Sequence, residues 1–238
     1  VNHVVSFFVK RLSIWLFNQS NLVIVPYAGL QQELRQSGVH SPIEVAKLGV
    51  DITRFTPLDQ KESLRKKFAL PPEAFVIGYV GRISAEKNIT LLVEAFQQVH
   101  IQHKILLLVG AGEPATMERY RHLPQVRVTG FVTNVEDYLK AMDVFVMPSL
   151  TETTSLATLE AMSSGLPVVV TKVGFMKSYI TKENGLFFPK NDAQVLTAKI
   201  EKLYQDEPWR RSLGRQARKT IAYAFSWERS INRIKSLL

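Results

Sequence analysis

Short apolar runs, continuous and rich in Val and Ile, recur along most of this chain. Runs that are apolar at every position are typical of strands buried on both faces of a sheet. Helical patterns separate several of them, as at Leu91–Val99, Val135–Ala141 and Leu156–Ser163. This alternation predicts an α/β fold with a doubly wound parallel sheet. The predicted strands are Leu22–Pro26, Phe75–Val80, Ile105–Val109, Val126–Thr129, Val144–Met147, Val168–Val170 and Leu186–Phe188, and the predicted closing helices are Asp192–Tyr204, Pro208–Tyr223 and Ser226–Leu238.

A change of pattern near Leu48–Pro57 predicts a hinge, because a short strand there gives way to an irregular segment. Residues 1–50 are too few for a complete layered domain, so we interpret them as the end of a preceding domain. The main domain is predicted over residues 51–223. Residues 224–238 form the last predicted helix.

Charge and composition narrow the possible functions. The 238 residues carry a net charge of +9 and include no Cys, which excludes disulfides and thiolate metal sites. The five His residues form no cluster with metal-ligand spacing. The positive charge favours phosphate-bearing ligands or anionic membranes. We interpret the basic run Arg210–Lys219 as a solvated helix face, a membrane contact or a site for another anion.

The first segment, Val1–Phe17, lacks the small-residue cleavage site of a signal peptide. Its pattern predicts an amphipathic or buried helix with Lys10 and Arg11 on one side. No apolar run in the sequence reaches the length needed to cross a bilayer, which is roughly 20 residues.

The segment "GRISAEKN" follows one predicted strand directly, at the strand end where ligands bind in parallel sheets. It offers Arg82 and Lys87, whose cationic groups suit phosphate. The alternative is an exposed loop in which one cation pairs with Glu86. The glycine pair of "GAGE" after the next strand is a weak phosphate signal and favours a structural turn.

Two glutamates flank the start of another predicted helix, in "TETTSLATLEAM". Glu152 precedes the helix and Glu160 lies about two turns beyond it, at roughly 1.5 Å per residue. Free N–H groups at the helix start, with Thr153, Thr154 and Ser155 as capping candidates, form an anion site between them. Carboxylate, anion site and carboxylate match the hydroxyls, diphosphate and hydroxyls of a nucleotide sugar. The alternative is that Glu152 stabilises the helix dipole and Glu160 is an ordinary helix residue.

Five segments in order, "GRISAEKN", "ETTSLATLE", "EAMSSGLPVVV", "ENGLFFP" and "FSWE", resemble the retaining GT-B glycosyltransferases known as family 4 or group 1. The resemblance extends from about Ile24 to the end of the chain. It implies a Rossmann-like C-terminal domain that binds a nucleotide-sugar donor, with the last helix crossing back to an acceptor domain. Two departures are Thr153-Thr154-Ser155, where the family often has Gly-Phe-Gly, and "VGFMKSYI", which has one glycine and no acid. The backbone around the sugar is therefore expected to differ.

The resemblance also implies a role for each matching residue. Arg82 and Lys87 would hold the diphosphate and Glu152 would contact the transferred sugar, which makes these three the predicted catalytic residues. Glu160 would bind the ribose hydroxyls. The other predicted donor contacts are Thr154, Ser155 and Leu156 at the helix start and Gly130, Phe131 and Val132 beside the base.

The implied reaction moves a hexose from a UDP- or GDP-sugar to a lipid or glycan acceptor with retention. The cations would balance the charge of the departing diphosphate, so no metal and no other cofactor is expected. The expected location is cytoplasmic, with peripheral contact with an anionic membrane at its inner face.

Three alternatives remain open on sequence grounds. The chain could bind a nucleotide sugar without transferring it, or act as an epimerase of the same architecture, although no convincing acid–base set is present. A nucleic-acid binder is suggested only by charge, and no aromatic–basic motif supports it. Nucleic acid is therefore not an expected partner.

Overall fold

The computed structural model describes the backbone from residue 3 and side chains from residue 5 to residue 238. The chain divides into two compact units. One unit comprises residues 1–49 with residues 227–238, and the other comprises residues 50–226.

The smaller unit is built on two short parallel strands, β1 (Val23–Val25) and β2 (Ile43–Val45), with Val23 opposite Ile43. Helices α1 (His3–Asn18) and α2 (Ala28–Gln36) accompany them. The apolar cluster of this unit is small, and its buried members are Val23, Val25, Val39 and Ile43.

Helix α1 forms where the sequence predicts one, but it is not buried. The side chains of Ile14 and Phe17 pack against the small cluster. Seven other apolar residues of α1 are exposed: Val5, Phe7, Phe8, Val9, Leu12, Trp15 and Leu16. No helix in the described part of the chain is long and apolar enough to cross a membrane.

The larger unit contains a parallel sheet of six strands in the order β5-β4-β3-β6-β7-β8. Every residue of β3, β4, β6 and β7 is buried, as the continuous apolar runs predict. The predicted α/β, doubly wound fold is confirmed. The strands are β3 (Phe75–Val80), β4 (Lys104–Val109), β5 (Val126–Val128), β6 (Val144–Met147), β7 (Val168–Thr171) and β8 (Gly185–Phe188).

Helices connect and cover these strands, and side chains mark where two of them begin. Asp192 accepts a hydrogen bond from the Val195 N–H, and Asp206 accepts one from the Trp209 N–H, each at 2.9 Å. The helices of this unit are α3 (Glu62–Lys67), α4 (Ile89–Gln98), α5 (Pro114–Arg121), α6 (Val135–Ala141), α7 (Leu156–Ser163), α8 (Ala193–Gln205) and α9 (Glu207–Ala224). Helix α10 (Trp227–Lys235) belongs to the smaller unit. Short 3₁₀ turns occupy Ala85–Lys87 and Gly174–Ser178.

The basic run on α9 is only partly a solvated face. Arg210 donates to the Leu203 carbonyl oxygen at 2.6 Å and lies over the Phe75 ring. Arg218 donates to the carbonyl oxygens of Ile52 and Phe55, and to Ser163 at the end of α7. Two cations of the run thus satisfy backbone carbonyls within the domain, which leaves fewer of them to meet an anionic surface.

Candidate functional site

The site lies where the order of strands reverses. The chain proceeds from β3 to β4 and β5 on one side, then returns to place β6 on the other side of β3. The loops that leave neighbouring strands β3 and β6 therefore diverge at the same edge, which is where ligands bind in open parallel sheets. The loop after β3 is "GRISAEKN" and the loop after β6 carries Glu152.

Lys87 and Glu152 are brought together by these two loops. The Lys87 Nζ lies 2.6 Å from the Glu152 Oε1, and the two side chains are only 15% and 10% exposed. Ser149 donates a hydrogen bond to the same carboxylate oxygen at 3.0 Å. The Leu150 N–H donates to the Glu86 carbonyl oxygen at 2.9 Å, so backbone as well as side chains join the loops. At this burial the attraction between the two charges is stronger than in a surface ion pair, but the cost of removing both groups from water offsets part of it.

Arg82 is placed differently from Lys87. Its side chain is 74% exposed, and its Nη2 lies 3.1 Å from the Glu86 Oε1. This is the ion pair expected if the segment is simply an exposed loop. Because the contact is exposed to solvent, it is weak and restrains the guanidinium little. Arg82 also lines a cavity of about 530 Å³ between the start of α4 and α5, to which Ser84, Thr116 and Arg119 contribute. Glu152 and Glu160 do not line that cavity.

The loops after β3 and β4 touch through glycine. A Cβ added at Gly110 would meet the Gly81 carbonyl oxygen, and one added at Gly112 would meet the Ile83 carbonyl oxygen, both far inside van der Waals contact. The "GAGE" segment is thus required for close backbone packing, as the structural-turn interpretation holds.

The start of α7 differs from the prediction in how it is capped. Ser155 is the N-cap residue, but its φ is +52° and no side chain forms a capping hydrogen bond there. Its hydroxyl instead contacts the Thr158 hydroxyl at 2.8 Å. The Thr154 Oγ1 is buried without a hydrogen-bond partner among the described residues, while the Thr154 carbonyl oxygen accepts from the Tyr179 hydroxyl at 2.8 Å. Leu156, the first residue of α7, is exposed.

Gly174 supports the Glu152 loop from behind. Its φ is +55°, and an added Cβ would meet the carbonyl oxygens of Glu152 and Thr153. The next residue, Phe175, donates its N–H to the Thr153 carbonyl oxygen at 2.8 Å. The single glycine of "VGFMKSYI" is therefore the residue against which the Glu152 backbone rests.

Glu160 is partly buried on α7, and its carboxylate makes no hydrogen bond within the described residues. Burial raises the pKa of Glu160 to about 7, the positive charge of Arg54 opposes this rise, and Glu136 adds to it. A carboxylate with unused acceptor capacity in such a place suits hydroxyl donors from a ligand.

Arg54 is a site neighbour that the sequence did not predict. It lies in the hinge segment "DITRFTP", where nothing in the local pattern distinguishes it from a surface arginine. Its Nη2 donates to the Thr133 carbonyl oxygen at 2.9 Å and to the Glu136 Oε2 at 2.8 Å. These contacts span about 80 residues of sequence, so only the folded topology could reveal them.

The predicted base-contacting segment follows β5. Gly130 has a φ of +76°, and its carbonyl oxygen accepts from the Gly110 N–H at 3.1 Å. Phe131 is 82% exposed, whereas Val132 packs partly against the core. The segment leads directly to Thr133, which Arg54 contacts.

In the described part of the chain, no group of three His, Asp or Glu side chains is placed to hold a metal ion.

Comparison with known proteins identifies the family. The model of the glycosyl transferases group 1 family matches residues 74–206, which is more than half of the chain. The chain belongs to this family.

Curated relatives and a solved structure give the range of similarity. The capsular polysaccharide biosynthesis glycosyltransferase CapM of Staphylococcus aureus is 31% identical over 193 residues, which covers 76% of this chain and 50% of CapM. A UDP-Gal:α-D-GlcNAc-diphosphoundecaprenol α-1,3-galactosyltransferase of Escherichia coli is 28% identical over 207 residues, or 82% of this chain and 53% of that protein. The Anabaena protein HepE, solved with UDP-glucose, superposes with a TM-score of 0.87 at 23% identity, covering 96% of this chain and 66% of HepE.

The chain spans about half the length of the curated relatives it matches. At its level of identity, the likeness to HepE establishes the shared fold, and the Rossmann-like GT-B interpretation is confirmed on that basis.

We predict that Gly174→Ala destabilises the protein more than Gly130→Ala does. Both positions have positive φ, which costs an L-residue about 1 kcal/mol. Only at Gly174 does the new methyl group also strike backbone, since nothing lies within 4 Å of a Cβ at Gly130. We expect a loss of about 3 kcal/mol for Gly174→Ala and about 1 kcal/mol for Gly130→Ala in urea unfolding. Equal losses would contradict the supporting role of Gly174.

We also predict that Glu160→Gln stabilises the protein at high pH. The folded-state pKa of Glu160, about 7, lies above its ordinary value of 4.5, so this group's contribution to stability falls as the pH rises through that window. Gln removes the buried charge. The gain in unfolding free energy should be greater at pH 8 than at pH 5.5 by about 1 kcal/mol, allowing for partial exposure.

Chemical unfolding at the two pH values measures this difference. Glu73→Gln, at an exposed glutamate, is the control and should show no such dependence. A pH-independent effect of Glu160→Gln would show that its carboxylate is not held in an unfavourable environment.

Proposed function

We propose that this chain is the donor-binding half of a glycosyltransferase that moves a hexose from a UDP- or GDP-sugar to a lipid or glycan acceptor with retention of configuration. On this proposal, residues 51–223 bind the donor, residues 1–50 end an acceptor domain, and residues 224–238 form a helix that returns to it.

The contact between Lys87 and Glu152 is the observation that carries the proposal. It places a cation and a hydrogen-bond acceptor side by side, nearly buried, at the edge where strand order reverses. A nucleotide sugar presents an anion and a hydroxylated ring in adjacent positions, at its diphosphate and its hexose. With a donor bound there, Lys87 would contact a phosphate oxygen and Glu152 would accept a hydrogen bond from a sugar hydroxyl. These two contacts would replace the ion pair between Lys87 and Glu152.

The assigned roles follow from charge and position. Lys87 and the exposed Arg82 would neutralise the diphosphate as negative charge develops on it during departure. The N–H groups at the start of α7, near Thr154, Ser155 and Leu156, would add to this field. No resident cofactor or metal is part of this scheme.

The nucleoside would lie against two other parts of the site. Glu160 has acceptor capacity for the ribose hydroxyls, and Gly130, Phe131 and Val132 offer backbone groups to the base. Uridine is the favoured nucleoside, because HepE was solved with UDP-glucose and the Escherichia coli relative is named for UDP-Gal.

A lipid-linked glycan is the favoured acceptor class, since that same relative is named for a diphosphoundecaprenol-linked sugar. The second candidate function is a module that binds the donor without transferring it alone.

Peripheral contact with an anionic membrane, from the cytoplasmic side, completes the proposal. Helix α1 exposes apolar side chains along its length, carries Lys10 and Arg11, and has no acidic residue. Sedimentation of the chain with vesicles containing anionic lipid tests this contact, and failure to sediment at low salt would refute it.

We predict that Arg82→Ala and Lys87→Ala each weaken UDP-glucose binding by about 1–3 kcal/mol, the scale of a lost charged hydrogen bond. Calorimetry on the 238-residue chain measures the effect. Arg211→Ala is the matched control for Arg82, because Arg211 is similarly exposed and also pairs with a glutamate four positions away. Equal affinity of Arg82→Ala and Arg211→Ala would argue against the diphosphate role.

Substitutions of the two glutamates should have different effects in the same calorimetric assay. Glu160→Gln is expected to weaken the binding of UDP and UDP-glucose alike, whereas Glu152→Gln reduces mainly the preference for UDP-glucose over UDP.

A thermal-shift screen of UDP-, GDP- and ADP-sugars selects the donor, because a tight ligand raises apparent stability. If none of these compounds shifts the transition, the proposed function fails.

A further inference from the structure

Hydrogen bonds to the backbone next to Arg54 hold this residue in a turn. The Asp51 carboxylate accepts hydrogen bonds from the N–H groups of Thr53 and Arg54 and from the Thr53 hydroxyl, at 2.7–3.0 Å. This turn fixes the direction in which the Arg54 side chain leaves the segment. The guanidinium then lies 5.4 Å from the centre of the Phe55 ring.

The far end of the Arg54 side chain joins two parts of the site. Its Nη2 bonds the carbonyl oxygen of Thr133, the residue that follows the predicted base-contacting segment. The same nitrogen bonds Glu136 in the first turn of α6. The side chain remains 47% exposed, so it is a contact at the rim of the domain and not a core residue.

Arg54 is also the cation that acts on Glu160. Among the described residues, the charges that influence the Glu160 carboxylate are Arg54, which favours ionisation, and Glu136, which opposes it. Because Arg54 pairs with Glu136, it both supplies a positive charge and neutralises the competing negative one. Without Arg54, the negative charge of Glu136 would act on Glu160 without a compensating cation.

We infer that Arg54 is a positioning residue for the nucleoside end of the donor. It favours the carboxylate form of Glu160, which can accept from both ribose hydroxyls, and it bonds the backbone next to the base-contacting segment. One side chain thereby sets the ribose acceptor and the base contact relative to each other. This inference rests on the proposed function, since it assigns the nucleoside to that place.

The dependence on pH distinguishes this role from a merely structural one. A protonated carboxyl group can accept only part of what a carboxylate accepts, so donor binding should weaken as Glu160 takes up a proton. Loss of Arg54 lets Glu160 hold its proton at higher pH. Affinity should therefore fall most at slightly acidic pH and recover as the pH rises.

The test measures UDP-glucose affinity from pH 6 to pH 8.5 for the 238-residue chain and its Arg54→Gln, Arg54→Lys and Arg211→Gln variants. UDP-glucose is preferred to UDP, because its diphosphate diester does not titrate in this range. We expect Arg54→Gln to lose about three- to tenfold in affinity near pH 6.5 and much less at pH 8.5, with the midpoint of its pH profile moved upward. Arg54→Lys keeps the charge and should keep the wild-type midpoint, and Arg211→Gln should match the wild type throughout.

Each outcome separates the two claims. If UDP-glucose does not bind, the donor selected by the thermal-shift screen replaces it, and if no nucleotide sugar binds at any pH, the proposed function fails and the inference fails with it. If the wild type binds, but Arg54→Gln loses affinity equally at every pH or not at all, the proposed function stands and the role of Arg54 is refuted. A midpoint shift that Arg54→Lys shares with Arg54→Gln would also refute the charge argument.

Discussion

The reversal of strand order beside β3 is the constraint on which the site depends. Strands β4 and β5 lie on one side of β3 and β6 lies on the other, so the loops after β3 and β6 separate and leave a crevice at the carboxyl edge. Side chains in the buried strands are almost all apolar, and the charged residues of the site lie in the loops at that edge. The ion pair of Lys87 with Glu152 closes the crevice from both sides.

The sequence predicted those parts of the fold in which one local signal dominates. Strands β3 and β6 and helices α6 and α7 agree with prediction to the residue, because continuous apolar runs end at clear polar or glycine boundaries. Helix α5, "PATMERYR", was not predicted, since it has little apolar pattern. The Lys87 and Glu152 loops were recognised individually, but their mutual contact follows only from strand order. Arg54 could not be predicted, because its partners are distant in sequence.

Local rules are broken mainly around the start of α7. Ser155 has positive φ where the prediction had an ordinary capping residue, and the Thr154 hydroxyl is buried without a partner in the described chain. Glu160 is a carboxylate in surroundings that disfavour its charge. Such departures cost stability and tend to concentrate where a protein binds ligand. Their grouping within seven residues, after the strand β6 at which the strand order reverses, agrees with the role proposed for this segment.

The pairing of Lys87 with Glu152 has a consequence for selectivity among small anions. The Lys87 ammonium group already has a counter-charge in the Glu152 carboxylate, so an anion that binds there must compete with that carboxylate. An anion that satisfied Lys87 alone would separate the Glu152 carboxylate from its cation and leave it with the Ser149 hydroxyl as a donor. A molecule that joins a phosphate to a polyhydroxylated ring can replace both halves of the pair at once. The ion pair between Lys87 and Glu152 would therefore favour the binding of compounds that carry both a phosphate and a hydroxylated ring over that of the abundant ions that carry one such group.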